Sequence, residues 1–176
     1  MFTFLNPAIS LATLNDIPAI TRLLNSAYRG ESSRAGWTTE ADLIAGEVRT
    51  DELHLRQVLE REHSFLLKYT GSRGEILGCV NLQKHAHQLY LGMLSVSPLK
   101  QNAGIGKALL SAAGECATAL GCSAVYMTVI SARTELIDWY KRHGYIATGE
   151  IIPFPEDGLT GKHLRELEFI VLEKSL

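Results

Sequence analysis

Apolar positions recur along this chain in two periods, one helical and one extended. Ile17, Ile20, Leu24 and Ala27 fall three or four residues apart, which predicts an amphipathic helix with Asn15 or Asp16 as its cap and Pro18 tolerated in its first turn. Helical character is expected again over residues 40–46, and over residues 51–61 where Leu55, Val58 and Leu59 share a face. From Lys107 onward, Leu109, Ala113, Cys116 and Leu120 predict a long helix that Gly121 stops; residues 133–142 predict another that Gly144 ends. Shorter apolar runs predict strands at residues 8–12, 64–69, 75–83, 88–96, 124–130, 146–152 and 167–172. Residues 71–74 read as a turn, and residues 30–36 and 153–163 as loops. This order of elements describes an α/β fold, a mixed sheet covered by helices on both faces.

The segment between the third long strand and the long helix carries the first chemical signal. Leu94 and Val96 close an apolar run that Pro98 interrupts, and Gly104 and Gly106 bracket Ile105 where the helix begins. The first turn of a helix has backbone N–H groups without internal partners, and glycines let a phosphate approach them. Two common phosphate loops do not fit. A nucleoside-triphosphate loop requires a glycine where Gln101 stands and a hydroxyl residue where Ala108 follows Lys107; a dinucleotide fingerprint requires a glycine where Leu109 stands.

Gln101-x-x-Gly104-x-Gly106 after a strand containing Val96 resembles the coenzyme A pyrophosphate loop of the GCN5-related N-acetyltransferase (GNAT) superfamily. A later stretch, IDWYKRHGYIATGE at 137–150, resembles a second family segment, with Tyr140 four residues before Gly144 and Tyr145 directly after it. The likeness is close over residues 88–150 and extends to the rest of the chain by element order.

The resemblance implies a GNAT-like acyl-CoA N-acyltransferase fold with a mostly antiparallel sheet, and a transferase that moves an acyl group, acetyl above all, from acetyl-CoA directly to a primary amine of a small molecule or peptide. It implies that backbone near Leu94 and Val96 pairs with the pantetheine arm, and that Gln101, Gly104, Ile105, Gly106, Lys107 and Ala108 form the pyrophosphate loop. Tyr140 corresponds to the tyrosine whose hydroxyl serves the departing sulfur, while Trp139, its neighbour, is expected to point elsewhere and pack. Tyr28, Trp37 and Tyr90 are expected at the acceptor, and Glu31, Glu156 and Asp157 are candidates to attract an ammonium group. No residue is singled out as the base. With uninterrupted alternation Tyr90 and Gly92 share the side of Leu94 and Val96, so Tyr90 can hold a relay water, and Glu47 and Glu31 are the other candidates. Where the family carries an asparagine ahead of the tyrosine helix, this chain has Ala132 or Arg133; solvation at the helix end is the plainer expectation for Arg133. A protein that binds acyl-CoA for regulation, with little turnover, and an interaction module without coenzyme affinity are the competing readings.

Composition narrows the setting. A length of 176 residues suits one domain, 1–176, and 17 basic against 19 acidic side chains without a basic block argue against nucleic acid as partner. No apolar stretch is long enough to span a bilayer and no leader is evident, so a cytoplasmic protein without membrane contact is expected. Cys79, Cys116 and Cys122 read as core thiols, and His85 and His87 lack partners at ligand spacing, so no metal is expected. Sheet edges and late strands leave room for a homodimer.

Overall fold

The structure is a computed structural model that describes residues 2–176. In chain order the elements are β1 (Ile9–Leu11), α1 (Ile17–Tyr28), α2 (Gly30–Ser33), β2 (Ile44–Ala45), α3 (Glu52–Glu60), β3 (Ser64–Thr70), β4 (Ile76–His85) and β5 (Gln88–Val96). They continue with α4 (Ile105–Ala119), β6 (Ala124–Ile130), α5 (Thr134–Arg142), β7 (Ile146–Pro153), β8 (Lys162–His163) and β9 (Glu168–Ser175). Seven strands form one sheet in the order β1-β3-β4-β5-β6-β9-β7, in which only β5 and β6 run parallel. The expected mixed, mostly antiparallel sheet is present.

Its two faces are covered by different helices. Alternation along β3 and β4 sends Leu67, Val80 and Leu82 to one side, against Ile105, Leu109, Ala113 and Cys116 of α4 and Ile137 and Tyr140 of α5. Leu66 and Cys79 go to the other side, against Ile17, Ile20 and Leu24 of α1 and Leu55 of α3. A side chain at Gly78 would come within 2.8 Å of Ile105, so the missing Cβ lets α4 approach the sheet closely.

Two expectations about residues 30–46 and 153–163 are overturned. Residues 40–46 are not helical: a turn there leads into β2, which pairs with β8 inside the segment expected to be a loop. The short helix α2 lies within residues 30–36, also expected as loop. The β2–β8 pairing joins residues far apart in sequence, so local periodicity carries no trace of it. Asp16 anchors α1 as expected, although its carboxylate accepts from Thr13 N–H at 2.7 Å and from the Lys68 ammonium at 2.8 Å rather than capping α1's own amides.

Candidate functional site

The parallel pair β5–β6 is hydrogen-bonded only from Gln88↔Ala124 to Tyr90↔Tyr126, although both strands run on to Val96 and Ile130. Beyond that point they part, and two adjoining cavities occupy the opening. The first, of about 300 Å³, is lined by Leu94, Ser95 and Val96 of β5, by Gln101, Asn102 and Gly104–Lys107, and by Trp139, Tyr140 and His143 of α5. The second, of about 100 Å³, reaches Tyr90, Gly92, Thr128, Arg49, Glu40 and Phe169. Tyr28, Leu94, Arg133, Leu136 and Tyr140 line both.

The first cavity ends at the N-terminus of α4. Gly104, with φ of 80°, is the N-cap residue in a left-handed conformation, and nothing lies within 4 Å of the position its Cβ would take. The Cβ of Gly106 would stand 3.3 Å from the Trp139 ring, so a side chain there would intrude on the cavity wall. The first amides of α4 therefore face an unobstructed mouth, a geometry suited to a phosphate. Lys107 is exposed at this mouth, and Ala108 packs against the core beneath it. Gln101 holds the loop in place: its Oε1 accepts Trp37 N–H at 2.8 Å and its Nε2 donates to Val96 carbonyl at 3.3 Å. A Cβ at Gly36 would lie 2.4 Å from Gln101 Oε1, so glycine is what lets the amide fit beneath residues 36–37.

The face that β5 presents changes partway along it. Gly92 pairs with Asn81 and Ser95 with Cys79, so β5 carries an extra residue against β4, and Met93 adopts φ of 53° at that point. Leu89 and Leu91 before the bulge and Leu94 and Val96 after it consequently pack on the same α4 side, while Met93 turns toward α1. This corrects the expectation that Tyr90 and Gly92 share the side of Leu94 and Val96. The Tyr90 ring lies instead over Gly92, packs 5.4 Å from Tyr126, and its hydroxyl is 3.2 Å from Thr128 Oγ1. The Leu94 carbonyl, turned by the bulge, accepts the Tyr28 hydroxyl at 2.8 Å.

A buried ionic cluster backs both cavities. Glu40 is paired with Arg29 through one carboxylate oxygen, and through the other with Arg133 Nη1 at 2.9 Å. Arg29 also donates through Nε to the Thr160 carbonyl, and Arg133 through Nη2 to Thr38 Oγ1. Arg133 is only 6% exposed, which overturns the expectation of a solvated helix end. Its Nε, and Ser95 Oγ, are buried without a hydrogen-bond partner among the described residues, and both residues line the first cavity. Orphaned donors of this kind carry a desolvation cost that a bound ligand removes.

Burial dominates titration here. It raises the Tyr140 hydroxyl well above the ordinary phenol value, with Tyr28 adding to the shift and Arg133 opposing it. The Tyr28 hydroxyl is raised by burial and by Glu40, against the pull of Arg49 and Arg133. Both phenols therefore keep their protons at neutral pH and can donate. Burial likewise pushes the Cys79 and Cys116 thiols up to about 12, and both are free cysteines.

The structure thus gathers Leu94, Val96, Gln101, Gly104, Ile105, Gly106, Lys107 and Tyr140 around one cavity, with Tyr28 and Tyr90 around its neighbour. Trp37 stands with the first group, 6.3 Å from Trp139. Trp139, expected to point elsewhere, lines the same cavity as Tyr140 at a ring distance of 5.1 Å. Glu31 and Glu47 line neither cavity, and Glu31 is paired with Arg34 on the surface. Glu156 accepts His163 N–H, and Asp157 accepts three bonds from Leu159 and Thr160. Sequence reading missed His143, which sits one helical turn after Trp139 and packs its ring tilted against it, centroids 4.4 Å apart, while its Nδ1 donates to the Trp139 carbonyl. That i, i+4 spacing was its only signal. Arg49 carried none.

The family model described as "Acetyltransferase (GNAT) family" matches residues 17–145 of this chain. No curated protein sequence matches it. Among solved structures, the ribosomal-protein-alanine N-acetyltransferase from Brucella melitensis superposes with a TM-score of 0.71 at 21% identity, over 96% of this chain and 99% of that one. A GNAT superfamily phosphinothricin acetyltransferase from Sinorhizobium meliloti, in complex with AcCoA, gives 0.68 at 21% identity over 96% and 87%. A GNAT family acetyltransferase from Elizabethkingia anophelis with acetyl-CoA bound gives 0.57 at 22% identity over 72% and 84%. These similarities establish a common fold.

Proposed function

The chain belongs to the acetyltransferase (GNAT) family, and on that footing we propose that it transfers an acetyl group from acetyl-CoA directly to a primary amine of a small molecule or peptide. The observation that carries the reading is the meeting of two cavities at one wall that includes Tyr140, one cavity opening on the α4 amides and the other on polar side chains. A ternary arrangement of donor and acceptor needs such a partition, because much of the rate comes from holding the two reactants in register.

The residues present fit the coenzyme. The amides of Gly104–Lys107 face an open mouth for the pyrophosphate, the Ala108 N–H being already given to the Gly104 carbonyl, and Ser95 Oγ is a buried hydroxyl without a partner among the described residues. Leu94 and Val96 lie on the part of β5 that has left β6, where an extended amide-bearing arm can run beside the strand; their carbonyls already accept from Tyr28 and Gln101. Acetyl-CoA supplies an activated carbonyl and a sulfur leaving group. Backbone N–H groups of β5 near Val96 polarise that carbonyl. Tyr140, held protonated by burial, donates to the departing sulfur. On the acceptor side the Tyr90 and Thr128 hydroxyls hold a water that takes the proton from the amine. We assign these roles within one domain, residues 1–176, acting in the cytoplasm, where the three buried free cysteines remain reduced. No helix among the described residues is long and apolar enough to cross a membrane.

Glu40 is the one carboxylate lining either cavity among the described residues, and both its oxygens are held by arginines. That commitment favours a second reading, a coenzyme-binding protein with little turnover. Release of free CoA from acetyl-CoA across a broad amine panel, together with calorimetric binding of CoA, separates the two. Amine-dependent release supports transfer, binding without release supports the second reading, and absence of both removes the family's activity from this chain.

A further inference from the structure

The second cavity has an electrostatic character that the transfer reaction does not require. Arg49 and Arg133 both line it, and both guanidinium groups lie near the Tyr28 ring, at 5.3 and 5.8 Å from its centroid. Glu40, the sole carboxylate in its walls, already serves Arg29 and Arg133, so the cluster of three arginines and one glutamate keeps an excess of positive charge. Arg49 is half-buried, and no carboxylate among the described residues lies within ion-pairing distance of it. Arg133 Nε is the second unmet group: a charged donor, nine-tenths buried, with no hydrogen-bond partner among the described residues.

A cavity built to hold only an ammonium or neutral amine would not place two such cations in its wall, since they repel the substrate before it sheds its proton. Arg133 keeps a buried Nε–H unmet although Glu40 and Thr38 hold its other nitrogens, and Arg49 has no ion-pair partner among the described residues; an oxyanion relieves both. The remaining walls are apolar or hydroxylic, with Leu91, Met127, Val129 and Phe169 beside Thr128 and Tyr90. At about 100 Å³ the cavity is small, and it is continuous in its lining with the first through Tyr28, Leu94, Arg133, Leu136 and Tyr140.

Resting on the transferase reading above, we propose that the acceptor is a small amino acid-like molecule whose carboxylate is held by Arg133 Nε–H and the Arg49 guanidinium. The carboxylate supplies the missing anion, and anchoring it fixes where the neighbouring amine meets the acyl donor. The amine loses one proton and forms the new N–C bond as the C–S bond breaks. The thiolate takes a proton through Tyr140, giving CoA and an N-acetyl amino acid.

Matched acceptors decide the matter. CoA release is followed with methionine, leucine and phenylalanine, each beside its carboxamide and its decarboxylated amine. The free acids are expected to exceed their partners in kcat/KM by on the order of 30-fold. Arg49→Gln should raise KM for the acids by roughly 10-fold more than for their partners, collapsing the preference. Arg133→Lys, which retains the charge toward Glu40, should narrow the preference as well. Equal or better use of the amides and decarboxylated amines overturns the proposal while the transferase reading stands. So does an Arg133→Lys protein whose acetyl-CoA affinity falls but whose acceptor preference persists, since its Nε would then serve the donor. If no amine of any class releases CoA, the transferase reading fails. Titration of N-acetylmethionine and its amide into CoA-loaded protein still tests the anion site, and equal affinity for the two sinks it.

Discussion

The two cavities that meet at Tyr140 are built from different materials. The first cavity presents main chain at one end, the first amides of α4 and the parted edge of β5 with Gly104 and Gly106 between them, beside side chains such as Trp37 and Trp139. The acceptor cavity is walled by side chains from β5, β6, α1 and the segments around Glu40, Arg49 and Phe169. A main-chain surface has one chemistry, donors and acceptors at fixed spacing, and serves a ligand that does not vary. A side-chain surface can be rewritten residue by residue, so on the proposed function the second cavity is where acceptor specificity would reside.

The contrast is exposed to direct attack. Glu40→Ala should be the most damaging single change, because it strands Arg29 and Arg133 without a counter-ion; a loss of about 3–5 kcal/mol in urea unfolding is expected. A smaller loss would mean that the cluster is not a structural support of the acceptor wall. Tyr140→Phe should lower kcat by on the order of 100-fold with acetyl-CoA affinity retained, as single-turnover assays would show. Gly106→Val, which places a branched side chain against Trp139, should weaken acetyl-CoA binding by about 30-fold in calorimetry and leave the acceptor cluster intact. If it unfolded the protein instead, the donor site could not be regarded as main chain alone. Tyr90→Phe removes one hydroxyl contact to Thr128 and should cost about 1 kcal/mol of stability.

A pH series sharpens the same picture. Tyr28, Tyr140, Tyr145, Cys79 and Cys116 all have raised values in the folded protein, those of Tyr145, Cys79 and Cys116 about 12. The unfolded chain releases these protons near 9–10 while the folded one retains them, so the stability they contribute is complete below about pH 9 and declines as pH rises through their folded values. At the other end, burial would raise the Asp16 carboxyl, but hydrogen bonds from Lys68 and Thr13 overcome it and hold it below its ordinary value. Its contribution is present above about pH 4 and is lost as acid protonates it. Thermal melts across the range should show both flanks, with Asp16→Asn flattening the acid one.

How far each region could be read in advance follows from the same difference. The loop at the N-terminus of α4 is a contiguous stretch, and Gln101, Gly104 and Gly106 mark its turn because a left-handed N-cap and an open helix start demand those residue types locally. Tyr140 was legible through its spacing to Gly144 and Tyr145. The bulge at Met93 was not, since methionine has no preference for φ of 53° and the extra residue is set by the register against β4. Without it the alternation placed Tyr90 on the wrong side. Arg133 was misjudged because its burial depends on Glu40 and Thr38, residues that only the fold brings to it. The β2–β8 pair was invisible for the same reason.

Gln101 carries a further implication, one of inheritance. Its amide bridges the Trp37 N–H and the Val96 carbonyl, and fits only because position 36 has no side chain. Positions 36 and 101 are therefore not independent under mutation: a Cβ at the first displaces the amide at the second, which loosens the loop at 101–106 and the segment over it together. Variation at the two sites should travel as a pair.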